Sequence, residues 1–159
     1  MFKRIVSSLV ALTAPSGSSS QPPSDTWNVA STPDHALVVR YRAAFPDWVS
    51  RRAWPNLVGI KWHLEKNTEM PSKAESARHY EFEDTLQNAV ESAHVGVLAL
   101  VITGESRVEW IYYTPSHDQF MAILNTALTG KAVLPLEISL EKDPDWINYT
   151  DFSGEGKRR

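Results

Sequence analysis

Six segments between Leu57 and Glu141 switch between two hydrophobic periods, and the order of those switches admits few folds. Leu57 to Glu65 alternates: Val58, Ile60, Trp62 and Leu64 fall on one side, Gly59, Lys61, His63 and Glu65 on the other. That is the pattern of a strand with one covered face. After Pro71 the period lengthens. Phe82, Leu86, Ala89, Val90 and Ala93 form a stripe at helical spacing. Ser72 and Glu75 make a capping box at its start, which predicts a helix running to about Ser92. Val95 to Thr103 is apolar on both sides and reads as a central strand. Gly104-Glu105-Ser106 turns the chain, and Arg107 to Thr114 returns as a strand rich in β-formers. Ser116, with Gln119 in the matching position, caps a second helix whose buried side carries Phe120, Ile123, Leu124, Ala127 and Leu128. Gly130 stops it. Val133 to Glu141 alternates once more, with Leu134, Leu136, Ile138 and Leu140 inward and Glu137, Ser139 and Glu141 outward.

Strand, helix, strand, strand, helix, strand is the ferredoxin-like βαββαβ order. It predicts an α+β fold in which two helices cover one face of an antiparallel sheet and the other face stays wet. Trp27 to Ser31 and His35 to Phe45, joined through a turn at Pro33-Asp34, predict an N-terminal β-hairpin that extends the sheet. Pro46 to Pro55 reads as an irregular loop.

The expected domain spans residues 26–153. Ahead of it, residues 15–25 (PSGSSSQPPSD) are a flexible linker by composition. Residues 1–14 place Phe2, Ile5, Val6, Leu9 and Leu12 at helical spacing behind Lys3 and Arg4. Three readings stay open: an amphipathic helix that docks on a membrane surface, a signal-like segment, or a tail without function. The first implies a cytoplasmic, membrane-peripheral protein and the second an exported one. Residues 154–159 read as a disordered basic tail.

Net charge is −3, so the chain as a whole lacks the basic footprint of a nucleic-acid binder. With no cysteine, disulfides, thiolate catalysis and thiolate-held metal are excluded. The five histidines include no i, i+4 helical pair, and no phosphate-binding loop or serine-hydrolase elbow occurs. No catalytic, cofactor-binding or metal-ligating residue is therefore assigned, and no cofactor is expected. Asp143, Asp145 and Asp151 lack the pattern of a calcium loop and read instead as a proline turn that folds Trp146, Tyr149 and Phe152 back onto the body.

Partner contacts are expected in two places. Trp48 and Trp54 lie in the loop before the Leu57 strand, where they form either an exposed aromatic patch or a plug at the end of the sheet. Arg40, Arg42, Lys61 and His63 are placed together on the wet face. That face allows RNA binding as an alternative, although no RNA-recognition consensus occurs. An enzyme of unknown type is a further alternative, with His63 brought to Asp143 or Asp145 as its acid–base pair.

Asp143-Pro144-Asp145-Trp146, then Tyr149 and Asp151-Phe152, together with the Trp27-Asn28-Val29 strand and the Trp110-Ile111-Tyr112-Tyr113 strand, resemble the bacterial domain-of-unknown-function family 695. The likeness runs from about Trp27 to Phe152, with Thr150 where related tails often carry Phe. The family has no established activity. Its tail is similar to that of regulator B of ribonuclease E, a ferredoxin-like protein that acts by binding its enzyme. The resemblance thus implies a non-enzymatic binding or regulatory module acting through protein contacts.

Overall fold

The computed structural model describes residues Val10–Ala11 and 23–155. Seven strands form one antiparallel sheet in the order β1-β2-β3-β5-β6-β4-β7. They are β1 (Val10–Ala11), β2 (Trp27–Ser31), β3 (Leu37–Arg42), β4 (Asn56–His63), β5 (Val97–Gly104), β6 (Arg107–Thr114) and β7 (Leu136–Lys142). Three helices accompany them: α1 (Lys73–Ser92), α2 (His117–Leu128) and α3 (Ile147–Ser153). Six of the strands have five to eight residues, and β1 is a two-residue rung on the edge of β2. The readings of residues 1–14, 15–25 and 154–159 fall mostly outside the described residues. Within them, Val10 and Ala11 are extended and pair with Ser31 and Ala30. No helix among the described residues is long and apolar enough to cross a membrane.

Local chemistry accounts for the elements. The Ser72 hydroxyl accepts from the Glu75 backbone N–H while Glu75 Oε2 accepts from the Ser72 backbone N–H, closing the expected capping box on α1. Ser116 caps α2 through the Gln119 backbone N–H. The expected hairpin forms as β2–β3, with Trp27 opposite Arg42 and Ser31 opposite Val38. β3 then pairs with β5, so the hairpin widens the sheet.

The core divides at the sheet. On one face α1 and α2 pack Phe82, Leu86, Val90, Phe120 and Leu124 against Val58, Ile60, Trp110 and Tyr112. The opposite face was expected to be wet, and much of it is not. Leu57, Leu100, Ile111 and Tyr113 there lie under Trp54, Trp146 and Tyr149, brought in by the loop before β4 and by α3. The physical reason is β5: its residues from Val97 to Ile102 are all buried, and hydrocarbon on both sides of a strand requires cover on both.

Candidate binding groove

The loop between β3 and β4 and the segment after β7 meet over Tyr113. The Trp146 ring stacks on Tyr113 at 3.8 Å between centroids, with planes 7° apart. Trp146 Nε1 donates to the Trp54 carbonyl at 2.9 Å. Asp143 organises the turn: its carboxylate accepts from the Tyr113 hydroxyl at 2.7 Å and from the backbone N–H groups of Ile147 and Asn148 at 2.8 and 3.0 Å. Burial, then this carboxylate, drive the Tyr113 hydroxyl pKa far above its ordinary value. The Tyr149 hydroxyl donates to the Arg42 carbonyl at 2.7 Å, and burial pushes its pKa up to about 12. Arg51 lies about 5 Å above the Trp146 and Tyr149 rings and pairs with Glu155. The Tyr113 and Tyr149 hydroxyls, the Asp143 carboxylate and Trp146 Nε1 are thus all taken up in hydrogen bonds within the fold.

A different arrangement stands on the helical face. The hairpin carries the sheet past α1 and leaves a trough between them, a cavity of about 360 Å³. This is near the lower end of the range for ligand pockets, about 300 to 1,000 Å³. Val38, Val101 and Val108 form its floor, and His79, Tyr80 and Glu83 of α1 its wall. Glu83 is buried, and both its oxygens accept from Arg40 Nη2 at 2.6 Å while Oε2 also accepts from Trp110 Nε1 at 2.8 Å. That pair is charge-compensated and hydrogen-bonded.

His79 is not. It is 4% exposed, edge-on to Trp62 and Trp110, and neither ring nitrogen has a partner among the described residues. Burial lowers its pKa below the ordinary 6.5; Glu75 opposes the shift and Arg78 adds to it. The imidazole is thereby held neutral, with one donor and one acceptor. At the mouth stand Val29, Met70 and Tyr80, three large hydrophobic residues exposed by 42, 36 and 60%.

The sequence of residues 25–153 matches the model of a family of unknown function, DUF695. The chain belongs to the DUF695 family. No curated protein and no solved structure matches it significantly. The match ends at the close of α3, so in this DUF695 domain the Asp143–Phe152 signature lies in the knot that covers the second sheet face. Among the described residues no group of three or more His, Asp or Glu side chains could hold a metal ion.

The sequence-predicted contact residues separate. Arg40 and Arg42 lie on the α1 side of the sheet, not beside Lys61 and His63. The register puts Arg40 opposite Val101, a neighbour of Trp110, whereas Lys61 stands opposite Glu109 and Glu137 on the other face. Arg42 is buried, donating to Glu91 at 2.6 Å and to the Ser24 carbonyl at 3.0 Å. Trp54 is also buried, beneath a half-exposed Trp48 whose ring stacks on His94 at 4.3 Å, so the pair plugs the sheet end. His63 meets Glu137 at 3.1 Å, not Asp143, which is occupied by Tyr113 and the start of α3. The His63–Glu137 pair is more than half exposed and does not line the trough beside α1. Sequence reasoning missed His79 and Glu83 altogether. Their signal was position: together with Leu86 and Val90 they fall at i, i+4, i+7 and i+11, so two ionisable residues share the buried stripe of this DUF695 helix.

Proposed function

We propose that this DUF695 domain is a non-catalytic binding module, built on a ferredoxin-like βαββαβ unit, that acts by contact with another protein in the groove beside α1. The strand order β7-β4-β6-β5 supports the ferredoxin-like part: the strand after the hairpin turn lies between the two that flank the first helix. One observation carries the binding reading. A trough lined by the buried, unpartnered His79 is bordered by exposed Val29, Met70 and Tyr80. Buried polar groups are nearly always paired, and clustered exposed hydrocarbon marks contact surfaces. The resemblance of the tail to regulator B of ribonuclease E leans the same way, toward action by contact. Lys61 and His63 remain a second, polar candidate surface on the opposite side, with His63 tied to Glu137.

The test compares capture from the native host by wild type, by Val29→Lys/Tyr80→Asp, and by Val133→Asp. Val133 is fully exposed and lies outside the groove, so it controls for loss of surface hydrocarbon alone. A protein retained by wild type and by the Val133 variant, and lost from the double variant, is expected. Equal recovery by all three would exclude the groove as the contact.

A further inference from the structure

Trp54, Trp146 and Tyr149 cover the Tyr113 end of the second sheet face. Glu109 lies four residues from Tyr113 along β6, about 13 Å away, yet burial continues there. The register aligns one row of that face across all seven strands: Ala11, Ala30, Val39, Ile102, Glu109, Lys61 and Glu137. Exposure along the row rises away from the β1 edge. Ala30, Val39 and Ile102 are exposed by 1, 0 and 5%, the Glu109 side chain by 4%, the Lys61 side chain by 29% and that of Glu137 by 65%. The neighbouring row repeats the gradient, from buried Leu37 through Arg107 at 17% to His63 at 59%. Burial, opposed by Lys61 and Arg107, also raises the Glu109 carboxyl pKa above its ordinary value. A face open to water would leave both edges of the sheet exposed, so this half has a cover that enters from the β1 side.

From this gradient we infer that residues 1–9 lie as a strap across that half of the second face, over Val39, Ile102 and Glu109. Val10 and Ala11 fix where the strap begins. Because β1 runs antiparallel to β2, the chain ahead of Val10 leaves at the Ser31 end of β2, the end that also holds Leu37 and Arg107. Its length suffices. Nine residues span about 30 Å extended or about 14 Å as a helix. Ile102 is three strand spacings from β1, about 14 Å, and Glu109 four, about 19 Å. Its hydrocarbon suffices too, since Phe2, Ile5, Val6 and Leu9 share one side at helical spacing. The other stretches outside the described residues fit worse. Residues 12–22 join β1 to the entry of β2 and carry one large aliphatic residue, Leu12. Residues 156–159 are Gly-Lys-Arg-Arg and follow Glu155, which is held by Arg51 beside the Trp146 knot. Docked in this way, the apolar side of the leading segment completes the cover of the sheet and is not free for a membrane.

The chain has no cysteine, so Lys3→Cys accepts a single nitroxide label in the otherwise unchanged protein. The amides of Ile102 and Glu109 are expected to broaden strongly, and those of Asp84 and Asn88, exposed on the outer side of α1, to stay sharp. Deleting residues 2–9 should lower the folding constant in urea at least about tenfold, the scale of one large apolar side chain losing its burial. It should also let the Glu109 carboxyl pKa, followed by carbon NMR, fall toward the ordinary 4.5. Ile5→Asp/Val6→Asp in the full chain should do the same, and together with the label it decides the matter if the shortened chain does not fold. Broadening no stronger at Ile102 and Glu109 than at Asp84 and Asn88 would overturn the strap, as would a Glu109 pKa unmoved by the double substitution. A label that broadens neither site, joined to flotation with phosphatidylserine vesicles that requires residues 2–9, would give the segment to a membrane surface instead.

Discussion

His79 stands where a helix buries hydrocarbon, between Trp62 and Trp110 and one turn before Glu83. Glu83 is compensated by Arg40 and Trp110 and His79 by nothing within the described fold, so these neighbouring buried residues of α1 differ in kind. The difference has a consequence for acid stability. Burial depresses the folded-state pKa of His79 below 6.5, so the unfolded chain binds more protons as pH falls through that value. Stability attributable to neutral His79 is complete above pH 6.5 and declines below it until the folded pKa is passed. In urea titrations from pH 8 to 5, wild type should therefore lose stability relative to His79→Phe below about 6.5, the ordinary value. Parallel pH profiles would refute this. Glu75 acts in the same direction in a lower pH window, although there the fold favours the charged form. Hydrogen bonds from Ser72 and then the Glu65 backbone hold its pKa at about 2 against an ordinary 4.5, so its contribution persists above 4.5 and is lost as pH falls toward 2. The Glu75 cap was legible because Ser-x-x-Glu is a local pattern. His79 was not, because its meaning depends on Trp62 and Trp110, which are distant in sequence.

Elements came through the sequence unevenly, for the same reason. The paired periods of β4, α1, β6 and α2 are local, and their positions follow from them. The hairpin between β5 and β6 was legible as a turn but not in its strain. Glu105 and Ser106 both take positive φ, 51° and 63°, a conformation that Asn-Gly satisfies and that side chains with a Cβ resist. Glu105→Asn/Ser106→Gly is expected to raise stability by roughly 0.5 to 1 kcal/mol, read from the urea midpoint at unchanged slope. No gain would mean the turn is held without strain. Gly104 is a different case. A Cβ there would come within 2.0 Å of the Ala36 carbonyl oxygen, so the close approach of the loop before β3 requires its glycine. α3 was legible as a return of aromatic residues and not as a helix, since its seven residues are organised by Asp143 rather than by an amphipathic period.

Over the whole molecule, the sheet is covered from two sides by unequal means. α1 and α2 cover one face with helical stripes, while the loop before β4 and the segment of α3 cover part of the other with three large aromatic side chains: Trp54, Trp146 and Tyr149. The return of Trp146, Tyr149 and Phe152 to the body was legible; that it covers the sheet face expected to be wet was not, although the two-sided hydrocarbon of β5 called for such cover. Cover made of so few residues concentrates stability in each. Trp146→Ala removes the stack on Tyr113 and the bond to the Trp54 carbonyl and should cost about 3 to 5 kcal/mol by denaturant unfolding. A loss below about 1 kcal/mol would show that α3 is an accessory to the fold rather than part of its core.

The hairpin that widens the sheet also supplies Val29, Val38 and Arg40 to the groove. The βαββαβ unit can close its own hydrocarbon interior through α1, α2 and strands β4 to β7 without Val29 or Val38. On the binding reading proposed above, selectivity and foldability reside on different stretches of chain: a changed specificity would need substitutions at two half-buried or exposed positions on one ribbon, while the tryptophans that keep the domain folded stay as they are.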